Sequence, residues 1–316
     1  MLRKFFRSIS RGSGILIFKF SLTAFIIVIF SCTATARTNR VNFSDFSGAE
    51  YAQDSDKHDV PYVPTPMEVV RTLLTLANVG RNDFLIDLGS GDGRIVITAA
   101  KEYGAHGFGV DLNPKLVELS LRYAIAEEVA GQADFFVQDI FKTDLRRATV
   151  VTMYLLNEVN LELRPKLLNE LKPGTRIVSH DFHMGTWLPD KMILLDIPKD
   201  YQDDTILYLW TVPAKVTGKW HWRLYLRGED QIFNLALDQN FQHINGTAYK
   251  HGQRLQILNP ILDGDRIQFT LVSEADERMI RQDYTGRVQG NVINGTVQLS
   301  GTVEKTILEW QAKRLN

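Results

Sequence analysis

Cysteine is almost absent from this sequence, and neither sign of charge predominates. Cys32 is the only cysteine among 316 residues, so the chain cannot form an internal disulfide, and the part after residue 36 has no thiol for catalysis or metal binding. The 36 Lys and Arg residues nearly balance the 37 Asp and Glu residues, which gives a net charge of −1. This balance lacks the basic footprint of a nucleic-acid-binding protein, so we predict no nucleic-acid partner. The length leaves room for two domains.

Residues 1–36 differ in composition from the rest of the chain. The basic residues Arg3, Lys4, Arg7 and Arg11 precede an apolar run, 20–30, which is followed by Ala34-Thr-Ala36. This arrangement is typical of a signal peptide cleaved after Ala36, with an uncleaved membrane anchor as the alternative. We therefore expect a cell-envelope protein, exported to the periplasm or membrane-anchored, whose N-terminal segment engages the membrane or the secretion machinery. Residues 37–59 are rich in Asn, Ser, Asp and Thr and predict a linker.

The stretch from Phe84 to Val96 combines an apolar strand, a glycine-rich turn and the start of a helix. Three glycines allow the backbone of this turn to approach a ligand closely: Gly89, Gly91 and Gly93. The turn departs from the dinucleotide fingerprint, because Arg94 follows the last glycine and Asp92 occupies space that a pyrophosphate needs. Asp87 at the strand end and Asp92 favour a cationic ligand instead, such as the amino and sulfonium groups of S-adenosylmethionine. A turn that only closes the βα unit is the alternative.

Carboxylates also end the next two predicted strands. Asp111 ends the strand over 107–111, where it can accept both hydroxyls of a ribose, and its alternative role is to cap the following helix. Asp139 ends the strand over 133–139, where it can accept the amino group of an adenine. Three successive strands that end in acids form a more specific pattern than any one of them.

The turn after the fourth predicted strand, 148–153, is the expected position of the transferred methyl group, because a cofactor at the strand ends extends toward the sheet centre. Tyr154 and Asn157 are therefore our candidates for catalytic side chains on the substrate side, with Glu158 beside them. Ordinary loop and helix-capping roles are the alternative. Three polar residues at the exit of the fifth strand are interpreted as rim residues, so that we predict no metal site: His180, Asp181 and His183.

Strands and helices alternate up to about residue 212, which predicts a parallel sheet. Two alternating segments, 192–197 and 205–212, predict a hairpin that adds an antiparallel edge. The expected fold over 60–213 is α/β, with a seven-stranded, doubly wound, Rossmann-like sheet. Its first helix is predicted to begin with a capping box of Thr65 and Glu68, with Pro66 at the first helical position.

From about Lys215 the helical periodicity is lost. Short alternating segments recur and indicate a separate all-β antiparallel domain over 214–316, a small barrel or sandwich. Trp220 and Trp222 alternate along one of these segments and are expected to lie on its core face. Three dipeptides are predicted to form turns in this domain: Asn245-Gly246, Asp263-Gly264 and Asn294-Gly295.

With Asp87-Leu-Gly-Ser-Gly-Asp-Gly93, Asp111 and Asp139 in this order, the central part of the chain resembles the class I S-adenosylmethionine-dependent methyltransferases. Pro61-Tyr-Val-Pro-Thr-Pro66, together with Asp87 to Ile95, is similar to the lysine methyltransferases of the mitochondrial ATP-synthase c-subunit and adenine nucleotide translocase type and their bacterial relatives. The similarity covers about residues 55–190. It implies a methyltransferase enzyme with S-adenosylmethionine as its cofactor and a protein lysine as the acceptor. The implied cofactor contacts come from Tyr62 and Thr65, the Gly89 to Gly93 loop, Asp111 and Asp139.

The N-terminal segment and the β domain lie outside the mitochondrial pattern, so three functions stay open. The first is a protein-lysine methyltransferase. The second is a methyltransferase for a small envelope molecule, with the β domain holding that substrate, and the third is a non-catalytic S-adenosylmethionine-binding protein of the envelope. For a lysine acceptor, we predict that Tyr154, Asn157 and the 182–187 segment shape a narrow apolar channel for the amine.

Overall fold

The structure is a computed structural model that describes residues 62–196, 205–226, 228–275, 278–301 and 306–315. The predicted signal segment, 1–36, and the predicted linker, 37–59, lie outside these residues. Within the described ranges, no helix has both the length and the apolar character needed to cross a membrane.

The first half of the described chain alternates strands and helices, as predicted. The helices are α1 (Met67–Leu76), α2 (Arg94–Tyr103), α3 (Pro114–Ala126) and α4 (Asn157–Glu170). The strands are β1 (Phe84–Leu88), β2 (His106–Asp111), β3 (Ala133–Val137), β4 (Val150–Met153), β5 (Arg176–His180), β6 (Lys191–Leu195) and β7 (Thr205–Thr211).

These strands form one seven-stranded sheet in the order β3-β2-β1-β4-β5-β7-β6. Strands β1 to β5 are parallel, and β7 is antiparallel to both β5 and β6, which confirms the predicted sheet with its antiparallel edge. Almost every residue of β1 and all of β4 are buried, as expected for strands covered on both faces. The chain reverses its direction across the sheet between β1 and β4. A ligand crevice is expected outside the carboxyl ends of these two strands.

Helix α1 does not begin with the predicted capping box. Pro66 directly precedes it and forms no side-chain capping hydrogen bond. The Thr65 hydroxyl lies 3.3 Å from Nδ1 of His180 instead, and the Thr65 carbonyl accepts a hydrogen bond from Nη1 of Arg94 at 2.6 Å. The capping prediction was wrong because these two distant side chains, which a local pattern cannot reveal, bind Thr65.

The second half of the described chain is a closed, eight-stranded antiparallel barrel, which confirms the all-β prediction in its barrel form. Its strands are β8 (Gly218–Leu226), β9 (Glu229–Asn240), β10 (His243–Lys250), β11 (Gln253–Asp263), β12 (Arg266–Ala275), β13 (Arg278–Gln289), β14 (Val292–Ser300) and β15 (Thr306–Arg314). Strand β8 pairs with both β9 and β15 and so closes the barrel.

Aromatic rings occupy the barrel interior. Trp220 and Trp222 are both buried, so the prediction that they lie on a core face is confirmed. The ring of Trp222 stacks on Phe233 at 5.2 Å between centroids, and Phe269 stacks on Tyr284 at 4.8 Å. Trp310 packs against Trp222 at 5.3 Å. These rings bury a large apolar area and stabilise the barrel as a unit.

Two of the three predicted turn dipeptides lie inside strands. Asn245-Gly246 belongs to β10, and Asn294-Gly295 belongs to β14. A Cβ atom on Gly246 would lie 2.3 Å from the carbonyl oxygen of Ala236 on the neighbouring strand, and one on Gly295 would lie 1.9 Å from that of Thr285. These two glycines therefore allow the neighbouring strand to approach closely, which is a common role of glycine inside a strand. Only Asp263-Gly264 lies at a strand connection, between β11 and β12.

Candidate active site

A cleft of about 650 Å³ opens at the carboxyl ends of β1, β2 and β4, the position expected from the sheet topology. This volume is typical of a site for a small-molecule ligand. Eight of the ten residues predicted for the site line the cleft: Tyr62, Thr65, Asp87, Gly89, Gly91, Asp111, Asp139 and Tyr154. Gly93 and Asn157 are not among its lining residues.

The glycine turn is fixed to the second strand by Asp111. Oδ2 of Asp111 accepts the backbone amide of Gly91 at 2.9 Å, and Oδ1 accepts that of Asn113 at 2.9 Å. The alternative helix-capping role belongs to Asn113, whose side chain accepts the amide of Lys115 at 3.0 Å. Asp111 therefore ties the turn to the start of α3 and places a carboxylate at the cleft wall.

The glycines of the turn serve two different purposes. Gly91 has a φ of +53°, and a Cβ atom there would lie 2.3 Å from the ring of Tyr62, which packs over the turn. Gly93 has a φ of +80°, and a Cβ atom there would lie 2.6 Å from the ring of Phe135. Gly91 therefore leaves room for a residue of the cleft, whereas Gly93 allows the turn to pack against β3. Gly93 is not among the residues that line the cleft, and its contact with the cofactor stays a prediction.

A buried ion pair holds the segment before α1 over this turn. Nη2 of Arg94 lies 2.6 Å from Oδ2 of Asp92, and both side chains are almost completely buried. Nη1 of Arg94 also donates to the carbonyl of Thr65 at 2.6 Å. Asp92, which the sequence alone presents as a free acid in the turn, is thus neutralised by its neighbour. Arg94 is a site residue that sequence reasoning missed, although its place directly after the last glycine was a signal.

Asp87 lies at the floor of the cleft and is 2% exposed. Burial raises the pKa of Asp87 to about 7, against the lowering effect of a hydrogen bond from Thr152, and the nearby charges of Asp111 and Asp92 raise it further. The Thr152 hydroxyl donates to Oδ1 of Asp87 at 2.7 Å. A carboxyl group in this state is stabilised as a carboxylate when a cationic group binds beside it.

Asp139 lies at the opposite end of the cleft, beside Ile140 and Phe141. Its Oδ1 accepts the backbone amide of Phe141 at 2.8 Å, and its Oδ2 lies 3.2 Å from Nζ of Lys142. The hydrogen bond from the Phe141 amide holds the pKa of Asp139 below its usual value, against the raising effect of burial, and the hydrogen bond and charge of Lys142 lower it further. Asp139 is therefore a carboxylate at neutral pH, next to apolar side chains on which a flat ring can pack.

Aromatic rings and a carboxylate meet at the end of β4 and β5. The ring of Tyr154 packs on that of His180 at 3.8 Å between centroids and faces Phe182 at 5.9 Å. The Tyr154 hydroxyl lies 3.5 Å from Oδ2 of Asp181. Tyr154 and Phe182 line the cleft, so this group forms one of its walls. Asp181 was interpreted from the sequence only as a rim residue.

Asp181 is held in an uncommon backbone conformation, with a φ of +59°. Two hydrogen bonds to Ile206 of β7 keep it there: its amide donates to the Ile206 carbonyl at 2.7 Å, and its Oδ1 accepts the Ile206 amide at 2.8 Å. Its Oδ2 lies 3.3 Å from Nε2 of His180. Burial lowers the pKa of His180 to about 4, against the raising effect of Asp181, so the imidazole is neutral at pH 7.

Asn157, the second predicted catalytic residue, is not among the residues that line the cleft, and its catalytic role stays a prediction. Helix α4 begins at Asn157, so this residue lies in the first turn of the helix. Its Oδ1 accepts the backbone amide of His183 at 3.0 Å. Asn157 thus binds the loop after β5, outside the cleft lining. Trp187, predicted as part of the acceptor channel, is fully buried in the core, so only Phe182 of the 182–187 segment lines the cleft.

The cleft has the chemistry that S-adenosylmethionine requires. Carboxylates predominate among its charged lining residues, with Arg94 as the single cation: Asp87, Asp92, Asp111, Asp139, Glu158 and Glu162. The buried Asp87 at the floor suits a cationic group, and Asp111 and Asp139 stand at the ends of neighbouring strands, as a ribose and an adenine require. Within the described residues, no three His, Cys, Asp or Glu side chains are grouped so that they could hold a metal ion.

Comparisons with known proteins agree with this site. A family profile described as the ANTKMT methyltransferase domain matches residues 87–191. A protein-lysine N-methyltransferase of Saccharolobus islandicus is 44% identical over 154 residues, which cover 48% of this chain and 94% of that protein. A lysine N-methyltransferase of Xenopus laevis that is named for the ATP synthase c-subunit is 37% identical over 131 residues, which cover 42% of this chain and 57% of that protein.

A solved structure is also similar to this chain. It is an RNA methyltransferase from Salinibacter ruber in complex with S-adenosyl-L-homocysteine, with 48% sequence identity and a TM-score of 0.45, and the match covers 49% of this chain and 96% of that one. The family profile and the Saccharolobus islandicus relative confirm the family, the enzyme class and, with them, the cofactor predicted from the sequence. This chain belongs to the S-adenosylmethionine-dependent methyltransferases of the ANTKMT methyltransferase-domain family.

Proposed function

We propose that this protein transfers a methyl group from S-adenosylmethionine to the side-chain amine of a protein lysine. The observation that carries the proposal is the wall formed by Tyr154, Phe182 and Asp181 at the end of β4 and β5. An aromatic pair beside a carboxylate is the chemistry that recognises an alkylammonium group. The relatives named as lysine methyltransferases support the same acceptor.

The acidic side of the cleft favours a basic partner. Glu158 and Glu162 lie one turn apart on α4, and both line the cleft, as does Tyr154. Carboxylates near the mouth raise the local concentration of cationic groups. A lysine in a flexible or projecting segment of another protein is a ligand of this kind.

The residues of the chain divide the work of the reaction. The cofactor would be held by six residues of the cleft and supplies a methyl group on a sulfonium, whose thioether is a good leaving group. These residues are Tyr62, Thr65, Gly89, Gly91, Asp111 and Asp139. The wall of Tyr154 and Phe182 would align the acceptor amine, and alignment is the main requirement of an in-line transfer.

The acceptor amine must lose a proton before it reacts. An ordinary lysine has a pKa of about 10.4, so its deprotonation at pH 7 costs about 4 to 5 kcal/mol. Aromatic walls exclude water and lower the pKa of the amine, whereas Asp181 attracts the ammonium form and raises it. His180 is neutral but, with a pKa of about 4, is too weak a base to hold the proton at pH 7. Asp181 therefore serves recognition, and the rings serve deprotonation.

Transfer of label from the methyl group of S-adenosylmethionine tests this proposal. The purified full-length protein is incubated with labelled cofactor and cell-envelope extract, and the label is traced after acid hydrolysis of the protein fraction. We expect methyllysine. Label in lipids or small molecules would replace the lysine acceptor with a small envelope molecule, and label in RNA would contradict both acceptors. Asp111→Ala is the control for label that does not depend on the cofactor site.

We propose further that residues 1–36 direct the protein to the cell envelope. The support is the sequence alone: the basic residues Arg3, Lys4, Arg7 and Arg11, the apolar run of 20–30 and Ala34-Thr-Ala36. Fractionation of cells that express a C-terminally tagged chain tests the location. A tagged protein that is found only in the cytoplasm would contradict it. The mass of the recovered chain distinguishes cleavage after Ala36 from an uncleaved anchor.

A further inference from the structure

One segment connects the acceptor wall of the cleft with the barrel. This segment, residues 181–188, follows β5. Its Phe182 lines the cleft, and its Trp187 is buried in the core. Helix α4 binds this segment on one side: Nδ2 of Asn160 donates to the Phe182 carbonyl at 3.1 Å, and Nη1 of Arg164 donates to the Met184 carbonyl at 2.8 Å. These bonds fix the segment to the methyltransferase sheet.

The barrel binds the same segment on its other side. The two residues between β9 and β10, Phe241 and Gln242, form a tight turn that contacts Trp187. The rings of Phe241 and Trp187 are stacked, with centroids 5.5 Å apart and planes 11° apart. Nε1 of Trp187 donates to Oε1 of Gln242 at 3.0 Å. Nε2 of Gln242 in turn donates to the Leu188 carbonyl at 2.7 Å.

The turn has an uncommon conformation for its residues. Phe241 has a φ of +54°, in a region that bulky side chains rarely adopt. A glycine or asparagine is the usual residue at such a position of a two-residue hairpin. Strained residues persist only where the surrounding structure holds them, and here the stack on Trp187 does so.

The interior of the barrel is filled by side chains and does not form a substrate site. Its core is packed with the rings of Trp222, Phe233, Phe269, Tyr284 and Trp310. Adjacent rings in this group approach to between 4.8 and 6.5 Å. Rings at these distances are in contact, which leaves the interior to side chains and not to a substrate.

We infer that the barrel is a positioning element for the acceptor wall: the Phe241-Gln242 turn holds Trp187 and thereby fixes the 181–188 segment, which presents Phe182 to the cleft and places Asp181 beside Tyr154. Phe241 and Gln242 are positioning residues, since neither lines the cleft. The inference rests on the proposed function only for the identity of the acceptor. The barrel is thereby expected to affect binding of the acceptor and not binding of the cofactor.

Substitutions in the turn test the inference in the full-length protein. The variants are Phe241→Ala and Gln242→Ala, with Tyr225→Ala as the matched control, because Tyr225 is a barrel aromatic that is 69% exposed. The first readout is amide hydrogen exchange of the 181–188 peptide. We expect exchange about tenfold faster in both turn variants and unchanged in the control, because local opening of a segment becomes easier when its contacts are removed.

The second readout separates acceptor from cofactor. S-adenosylhomocysteine affinity, measured by calorimetry, should stay within about twofold of wild type, whereas the KM for the protein acceptor in titrated envelope extract should rise by about 2- to 30-fold, the range typical of residues that act through a packed network. Unchanged exchange in 181–188, or parallel losses of cofactor affinity and transfer, would overturn the inference. If the wild-type protein methylates no lysine, the proposed function fails, and the exchange data still decide the inference. Phe241→Leu replaces Phe241→Ala if the alanine variant does not fold.

Discussion

The hydroxyl of Tyr154 lies 3.5 Å from Oδ2 of Asp181, although the two residues come from different strand ends and are 27 positions apart. The other oxygen of Asp181 is bound by the Ile206 amide at 2.8 Å, so the carboxylate cannot rotate freely. The phenol is packed between His180 and Phe182. This relationship gives the acceptor wall a fixed charge next to an aromatic surface, which a single residue could not provide.

Asp181→Asn should weaken acceptor binding without disturbing the fold. The amide oxygen of asparagine can still accept the Ile206 amide, and asparagine tolerates a positive φ, so the backbone contact is kept while the charge and the acceptor for the Tyr154 hydroxyl are lost. We expect the KM for the protein acceptor to rise by about fivefold with a smaller change in kcat, because an exposed or half-exposed charge pair contributes about 1 kcal/mol. Methyl-transfer rates over a range of extract concentrations measure both constants.

The control for this substitution is Asp144→Asn, which removes an exposed carboxylate that pairs with Arg146 away from the cleft. Equal effects of the two substitutions would show that the loss of one negative charge, and not its position beside Tyr154, changes acceptor binding.

Asp111→Ala should abolish cofactor binding. The substitution removes the acceptor of two backbone amides, those of Gly91 and Asn113, and also the carboxylate at the expected ribose position. Hydrogen bonds to charged groups contribute about 1.5 to 3 kcal/mol each, so we expect the affinity for S-adenosylhomocysteine to fall by about 100-fold or more. Calorimetric titration measures it. Asp134→Ala, at an exposed position of β3, should bind normally. Tight binding by Asp111→Ala would refute the cofactor assignment of this cleft.

The raised pKa of Asp87, about 7, predicts a stability that depends on pH. Since the pKa in the unfolded chain is about 3.9, the folded protein binds this proton more tightly between these two values. The stabilisation by the proton is complete below about pH 4 and is lost as the pH rises through about 7. In the cofactor-free protein at pH 8, Asp87→Asn should therefore be more stable than wild type by up to about 4 kcal/mol, and the difference should vanish near pH 4.

Urea unfolding at pH 4, 6 and 8 measures this difference. Asparagine keeps an oxygen for the Thr152 hydroxyl, so the comparison isolates the charge. The same variant should bind S-adenosylmethionine more weakly, because the carboxylate that favours a cationic ligand is gone. A stability difference that is equal at all three pH values would show that burial of the charge at Asp87 is not its cause.

The sheet and the cofactor side of the cleft could be predicted because their signals are local in the sequence. A glycine turn between an apolar strand and a helix, and acids such as Asp111 and Asp139 at strand ends, reflect positions that a parallel sheet always brings to one edge. The residues that were missed, Arg94 and Asp181, act through partners in distant segments. Arg94 binds the Thr65 carbonyl, 29 positions away, and no local pattern indicates that contact.

The barrel shows the same limit in its turns. The dipeptide rule placed a turn at Asn245-Gly246, yet the chain reverses at Phe241 and Gln242, which carry no turn signal of their own. The glycine is required by the carbonyl of Ala236 on the paired strand, and Phe241 adopts its φ of +54° beside Trp187 of the 181–188 segment. Both causes lie in tertiary contacts, which outweigh local propensity.

Two ion pairs of this protein have the same sequence separation and the same distance between their charged atoms. They allow the effect of burial on an ion pair to be tested alone. Asp92–Arg94 and Asp144–Arg146 each join Oδ2 to Nη2 at 2.6 Å, but the first pair is buried and the second is exposed. Arg94→Met should destabilise the protein by about 3 to 5 kcal/mol, because it leaves the Asp92 carboxylate buried without its partner. Arg146→Met should have little measurable effect, because solvent screens that pair. Urea unfolding of both variants, and of Asp92→Asn/Arg94→Met, measures the difference. The double variant should recover much of the loss, since it removes the unpaired charge, and equal losses in the two single variants would contradict the assignment.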